Sequence, residues 1–181
     1  MVYKLTPPVN KDGAWTKKTL YLFNGRDGAN SAAGVVFDGT GNLYGTTFAG
    51  PNGSGLAFEL KKPSGSVHSW TETVLHAFSD GDDGANPEAG LIFDVRGDLY
   101  GTAYRGLAGS QYGDVFRLKP PGGNGPWAFS VLYGFDTRSG PAQPAAGLAL
   151  DDIGNVYGTS QYGGIGQACQ GDCGTVFEVS P

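Results

Sequence analysis

The chain has 181 residues, of which 39% are hydrophobic, enough for the core of one ordinary domain and too many for a disordered tail. Its 17 acidic residues outnumber its 12 basic residues and give a net charge of −5, so no basic field attracts a phosphate backbone and we expect no nucleic-acid partner. No stretch approaches the roughly 20 apolar residues of a membrane helix, so we also expect no membrane span.

Four short apolar runs recur along the chain in a fixed order, each bounded by turn residues. The first run alternates apolar and charged residues, which predicts a half-exposed strand, and it occurs at residues 2–5, 57–60, 115–118 and 176–179. The second run starts near Trp15, Trp70 or Trp127 and ends in Phe. We expect these three tryptophans to pack between neighbouring sheets.

The third run occupies residues 34–38, 90–94 and 147–151 and is apolar up to a terminal aspartate. Such continuity predicts a strand that is buried on both faces. We expect the terminal aspartates, Asp38, Asp94 and Asp151, to open tight turns. In such a turn the side chain accepts a backbone N–H two residues on, and a following glycine takes a positive φ. This structural role is favoured over a catalytic or metal-binding one because each copy carries a complete turn.

The fourth run is a Tyr-Gly-Thr strand at residues 43–47, 99–103 and 156–160, with successive spacings of 56 and 57 residues. Its central glycines, Gly45, Gly101 and Gly158, predict that a large aromatic side chain or another backbone packs on them. The chain is therefore a tandem repeat with units at about residues 2–56, 57–114 and 115–175 and a closing strand at residues 176–179.

A unit of four short strands cannot bury both of its faces alone, so we expect the units to stack. Short strands, glycine turns and the lack of helical periodicity predict an all-β fold, a β-propeller with three four-stranded blades per chain. From the axis outward, the blade would hold the third, fourth, first and second runs. Since a propeller needs about four to eight blades, we predict that a second copy closes a six-bladed ring as a homodimer. Either residues 2–5 or residues 176–179 would then be redundant.

The sequence Asp-Gly-Ala-Asn-Pro-Glu-Ala-Gly-Leu at residues 83–91, followed by Asp94 and by residues 97–102 and 113–118, resembles the GloVer tandem repeat of exported bacterial proteins. The resemblance covers all three units. It implies a propeller-like array, export to the extracellular or periplasmic space, and in many cases a larger, surface-anchored protein. Strand-like sequence follows Met1 directly, so we expect no signal peptide in these residues, and either the chain is cytoplasmic or an export signal has been cut off.

In a propeller, the variable loop before each third run opens onto the mouth of the channel. The predicted ligand-binding residues in these loops are Asp27, Asn30, Asp83, Asn86, Arg138 and Gln143. The second of these loops also holds three closely spaced carboxylates, from Asp80, Asp82 and Asp83, as a calcium-binding loop does, but it lacks the distal glutamate of an EF-hand. The two alternatives are a calcium site and a solvated acidic turn. The sequence makes no cofactor certain, and calcium is the candidate.

Two functions of different classes agree with these features. The first is a non-catalytic recognition scaffold that binds a small molecule, a carbohydrate or a protein at the channel mouth. The alternative is a calcium-dependent hydrolase resembling propeller lactonases, in which Asp83 or Asp94 would activate water. Cys169 and Cys173 lie in one glycine-rich loop, where a small disulfide, two free thiols and, least favoured, a metal site are the alternatives.

Overall fold

The computed structural model describes residues 1–107, 110–123, 125–136, 140, 142–164 and 173–180. Within these ranges the regular structure consists of β-strands in four antiparallel sheets, and no α-helix occurs there. The predicted all-β class is confirmed.

The strands follow the predicted order. The N-terminal hairpin pairs β1 (Val2–Thr6) with β2 (Thr16–Tyr21). Sheet 1 contains β3 (Val36–Phe37), β4 (Leu43–Thr47), β5 (Leu56–Lys61) and β6 (Thr71–Ala77). Sheet 2 contains β7 (Ile92–Phe93), β8 (Leu99–Ala103), β9 (Asp114–Lys119) and β10 (Ala128–Gly134). Sheet 3, within the described ranges, contains β11 (Ala149–Leu150), β12 (Val156–Ser160) and β13 (Thr175–Val179).

The two ends of the chain hold incomplete sheets. The sequences of β1 and β2 correspond to the last two strands of sheets 1 and 2, whereas β11 to β13 correspond to the first three. Together, the hairpin and sheet 3 therefore contain every strand type of a complete sheet, with the type shared by β1 and β13 present twice.

The mid-strand glycines are covered by aromatic rings, as predicted. A Cβ added at Gly101 would lie 2.5 Å from the Cζ atom of Phe116, and one added at Gly45 would lie 2.8 Å from the Cζ atom of Phe58. Phe177 covers Gly158 in the same way. The tip of each ring thus occupies the space that a Cβ atom would need, which only glycine leaves free.

The sheets stack in chain order, and the hydrophobic core lies between them. Three buried clusters join consecutive sheets. The cluster between the hairpin and sheet 1 contains Val2, Leu43, Leu56, Phe58 and Leu60. The cluster between sheets 1 and 2 contains Tyr44, Ala57, Leu75, Phe78, Leu91, Leu99, Ala103, Phe116 and Leu118. The cluster between sheets 2 and 3 contains Tyr100, Val115, Phe135, Val156 and Phe177. The core is therefore shared between units, as expected of a repeat whose sheets cannot be stable alone.

The prediction for the third runs was wrong in part. Residues 34–38, 90–94 and 147–151 each form a strand of two residues, and none of these three strands is buried on both faces. Phe37 is 64% exposed. In β3 and β11 one residue, Phe37 or Ala149, is exposed because no further sheet covers that face in the described chain. In β7 both residues pack against a neighbouring cluster but stay only half-buried.

Two of the three tryptophans pack between sheets. The ring of Trp127 lies 6.0 Å from that of Tyr44 across the boundary between sheets 1 and 2, and Trp70 packs on the cluster beside the hairpin. Trp15 is 62% exposed, so the prediction was wrong for this residue in the single chain. The reason is that no sheet precedes the hairpin in the described structure.

Candidate ligand-binding site

The segments that lead into β3, β7 and β11 meet around a cavity of about 510 Å³. Matching positions of the three repeats contribute to its wall. The lining residues are Ala32, Ala33, Gly34 and Val35 from the first repeat, Glu88, Ala89, Gly90, Leu91 and Ile92 from the second, and Ala145, Gly147 and Leu148 from the third. Glu88 supplies the single charged side chain among these described lining residues. The wall is thus formed mainly by small or apolar residues, with one carboxylate.

The predicted ligand-binding residues do not line this cavity. Arg138 lies outside the described residues. The other five lie in the loops before the inner strands, and they fall into two structural groups. The first group, Asn30, Asn86 and Gln143, has left-handed backbone conformations, with φ values of 56°, 56° and 54°.

Asn86 and Gln143 join consecutive sheets. The backbone N–H of Asn86 donates to the carbonyl of Ser54 at 2.7 Å, and its side-chain amide donates to the carbonyl of Phe48 at 2.9 Å. The backbone N–H of Gln143 donates to the carbonyl of Tyr112 at 2.6 Å. These bonds fix the angle between sheets, so both residues have a structural role.

Asn30 is the first member of this set and is exposed. Its own carbonyl accepts the N–H of Phe48, as the corresponding carbonyls of Asn86 and Gln143 do in their repeats. Within the described part of the chain, however, no preceding repeat offers it a loop to bind.

The second group, Asp27 and Asp83, braces each loop against the outermost strand. Asp27 accepts hydrogen bonds from the hydroxyl of Tyr21 and the backbone of Asn24, both at 2.7 Å. Asp83 accepts one from the hydroxyl of Ser79 at 2.6 Å and lies 3.0 Å from Nε2 of His76. Sequence position alone could not distinguish a loop brace from a ligand contact.

The electrostatics of this pair favour a neutral imidazole beside a charged carboxylate. Burial lowers the pKa of His76 more than the neighbouring Asp83 raises it. Burial would raise the pKa of Asp83, but its hydrogen bonds from Ser79 and the contact with His76 outweigh that effect and lower it. The imidazole N–H therefore donates to the carboxylate at neutral pH.

The three predicted calcium ligands make different contacts and do not converge on one point. Oδ2 of Asp80 accepts a hydrogen bond from Nη1 of Arg105 at 3.0 Å, Asp83 braces its loop, and Asp82 is exposed. Among the residues that the structure describes, no group of three or more His, Cys, Asp or Glu side chains is arranged to hold a metal ion. Calcium binding stays a prediction that these contacts do not support.

The aspartates that end the third runs open turns, as predicted. Oδ1 of Asp94 accepts the backbone N–H of Arg96 at 2.8 Å and that of Asp98 at 2.9 Å, and the hydroxyl of Tyr100 approaches Oδ2 at 3.3 Å. Gly97 takes a φ of +87°. The turns at Asp38 and Asp151 have the same bonds, so the second catalytic candidate, Asp94, is a turn residue in a repeated structure.

Sequence reasoning missed Asp114. This residue is 0% exposed, and neither of its carboxylate oxygens has a hydrogen-bond partner among the described residues. It packs against Gly84, and burial, with a smaller contribution from Asp83, raises its pKa to about 8. Its counterpart in sheet 1 is the buried Leu56. The replacement of an apolar residue by a carboxyl at one repeat position was the available signal.

Cys173 is disulfide-bonded in the structure. Cys169, the only other cysteine of the sequence, lies outside the described residues. The pairing of these two residues therefore stays a prediction.

The stacked antiparallel sheets, with the same turns and the same inter-sheet joints in successive units, define an all-β tandem-repeat protein. The chain belongs to the Gloeobacter/Verrucomicrobia repeat family, whose model matches residues 1–181. This confirms the family resemblance found from the sequence. A comparison with curated proteins gave no match. In the described ranges, no helix has the length and apolar character needed to cross a membrane.

Proposed function

We propose that this chain is a non-catalytic recognition scaffold, half of a β-propeller whose central channel binds an extended ligand. The supporting observation is the cavity, because matching positions of all three repeats contribute to its wall. A channel formed by repeated inner edges is where propellers place their binding sites. The cavity would be one half of that channel.

Ring closure by a second copy is part of the proposal. Val176 is 80% exposed on the outer face of sheet 3, whereas its counterparts Ala57 and Val115 are 0% exposed because the next sheet covers them. The hairpin at the other end lacks the two inner strands that sheet 3 possesses. Two copies joined head to tail through these ends would form a six-bladed ring with a two-fold axis.

The role of the carboxylates favours binding over catalysis. Asp83 and Asp94, the candidates for activating water, each accept several hydrogen bonds from their own loop or turn. A carboxylate committed to such bonds is a poor general base. The calcium-dependent hydrolase stays an untested alternative, and no described contact favours it.

The wall chemistry suggests a carbohydrate ligand. Alanine and glycine leave room for a wide chain, and the carboxylate of Glu88 can accept hydrogen bonds from sugar hydroxyl groups. The disulfide at Cys173 favours an oxidising compartment, which supports export and an extracellular polysaccharide or glycoprotein as the target.

The experiment blocks the cavity without disturbing the fold. Gly147 lines the cavity, and a Cβ added there meets nothing within 4 Å, so Gly147→Trp should fold and obstruct the channel. Gly39→Trp is the matched control, because Gly39 also has open space and lies in a turn outside the cavity wall.

Both variants and the wild type would be titrated with a panel of soluble polysaccharides by isothermal titration calorimetry. We expect binding of at least one polysaccharide by the wild type and by Gly39→Trp, and at least a tenfold weaker affinity for Gly147→Trp. Binding that all three proteins share equally, or the absence of binding to the whole panel together with turnover of a lactone, would contradict the proposal.

A further inference from the structure

We propose that the apolar groove between the N-terminal hairpin and sheet 1 receives Tyr157 of a second copy of this chain. The inference rests on the proposed ring and assigns the contact that closes it. The groove has a volume of about 500 Å³. Its lining is mainly apolar and consists of Val2, Tyr3, Lys4, Leu20, Val35, Phe37, Gly41, Leu43, Lys62 and Trp70.

The boundary between sheets 1 and 2 shows what fills such a groove. There, the ring of Tyr44 lies 5.0 Å from that of Phe93 and 6.0 Å from that of Trp127, and Tyr44 is buried. The repeat equates Phe93 with Phe37 and Trp127 with Trp70. The hairpin carries no Tyr-Gly-Thr strand, so within the described chain no tyrosine occupies the equivalent place beside Phe37.

Tyr157 is the equivalent tyrosine whose ring no following sheet covers in the described chain. The Tyr-Gly-Thr strands supply Tyr44 and Tyr100, which the following sheets bury, and Tyr157 in β12, which is only half-buried. Within the described chain no sheet follows sheet 3. A second copy can present this face to the groove in the same orientation in which sheet 1 faces sheet 2.

A threonine in the same strand gives an independent indication. The hydroxyl of Thr46 donates to the carbonyl of Ala89 in the next repeat at 2.8 Å and is buried. Its counterpart in β12, Thr159, is exposed. At the next boundary the hydroxyl of Thr102 donates to the carbonyl of Pro144 at 3.2 Å. The counterparts of Ala89 and Pro144 are Ala33 and Ser31, in the loop that leads to Val35 of the groove, so docking of Tyr157 would also bring Thr159 to the carbonyls of this loop.

The charges of the two surfaces are complementary. Lys4 and Lys62 line the groove and are exposed. Tyr157 donates a hydrogen bond to Asp151 at 3.0 Å and pairs with Glu178 in the adjacent strand. Docking therefore brings two carboxylates towards two ammonium groups, which favours a second copy over an uncharged partner.

The test uses Phe37→Asp, which places a charge in the groove at a largely exposed residue and should leave the fold of one chain intact. Val95→Asp is the control, since Val95 is fully exposed in the turn of sheet 2 and its counterpart in the third repeat is already Asp152. Molar mass would be measured by light scattering after gel filtration, with circular dichroism as the check of folding. We expect a dimer for the wild type and Val95→Asp, and a folded monomer for Phe37→Asp with at least a hundredfold weaker self-association.

A second measurement does not depend on a loss of association. Phe37→Cys and Tyr157→Cys chains, each with its native disulfide, would be mixed and oxidised, and we expect a covalent dimer only in the mixture. If the wild type is a dimer, Phe37→Asp is a dimer as well, and the cysteine pair forms no covalent link, the docking contact is wrong but the six-bladed ring is not contradicted. A wild-type monomer would overturn both, whereas polysaccharide binding at Gly147 would test the recognition function separately.

Discussion

Asp114 should make this protein more stable in mild acid than at neutral pH. In the folded state its carboxyl group is buried without a hydrogen-bond partner among the described residues, and its pKa is raised to about 8. In the unfolded chain the pKa returns to about 4. Between these values the folded state holds a proton that the unfolded state has released. The contribution of Asp114 is therefore most favourable below about pH 4 and is lost as the pH rises through about 8.

The size of the effect follows from the difference in pKa. At pH 7 the pH lies about three units above the pKa of the unfolded group, which is therefore ionised, while the folded group still holds its proton. At about 1.4 kcal/mol per unit, this sets an upper limit of about 4 kcal/mol on the stability that is lost between pH 4 and pH 7. Local relaxation and water penetration reduce the cost of a buried charge, so we expect about 2 kcal/mol. Asp114→Asn removes the titration with little change in shape and should stabilise the protein at pH 7.5 by this amount, raising Tm by about 4–8 °C.

The assay is thermal unfolding by circular dichroism at pH 4 and pH 7.5 for the wild type, Asp114→Asn and Asp152→Asn. Asp152 is exposed, so its variant controls for the change of net charge. The gain for Asp114→Asn should be large at pH 7.5 and close to zero at pH 4, while Asp152→Asn should follow the wild type. A variant at Asp114 that is destabilised at pH 7.5 would refute the reasoning, because it would mean that the ionised carboxylate has a stabilising partner.

Two further predictions concern packing and the loop brace. Gly101→Ala places a Cβ against the ring of Phe116 and should reduce the free energy of unfolding in urea by about 1–3 kcal/mol, whereas Gly147→Ala, with open space around it, should change it by less than about 0.5 kcal/mol. Equal urea midpoints would show that the ring moves aside freely. Asp83→Asn weakens the bonds from Ser79 and should cost about 1 kcal/mol at pH 7. Since the pKa of Asp83 is lowered in the fold, that contribution is fully present above the unfolded pKa of about 4 and is lost as the pH falls through the lower folded pKa, so the difference between the variant and the wild type should shrink on acidification below about pH 4. A difference that grows as the pH falls below about 4 would contradict this.

Much of the fold could be predicted because its determinants are local. The turn at Asp94 depends on a carboxylate and a glycine only a few residues apart, and both recur in each repeat. The contact between Gly101 and Phe116 follows from a glycine in the middle of a strand. The order of the strands follows from the repeat, since each antiparallel pair is joined directly along the chain.

The candidate site was less predictable because its residues act between units. The left-handed backbone of Asn86 and its bonds to the preceding repeat depend on the angle between two sheets, which no local pattern contains. The lining of the cavity by Glu88 and Gly147 depends on the convergence of three units. The length and burial of β3, β7 and β11 were overestimated, because an apolar run such as residues 34–38 is equally typical of a buried strand and of an interaction surface.

The central claim is that three sheets with complementary open ends are completed by a second copy. Sedimentation equilibrium of the wild-type chain over a concentration series from micromolar upward tests it directly. The account predicts a closed species with twice the 18.8 kDa mass of one chain and no growth to higher assemblies as the concentration rises. A species of 18.8 kDa throughout the series would contradict it, and so would an open-ended series of polymers.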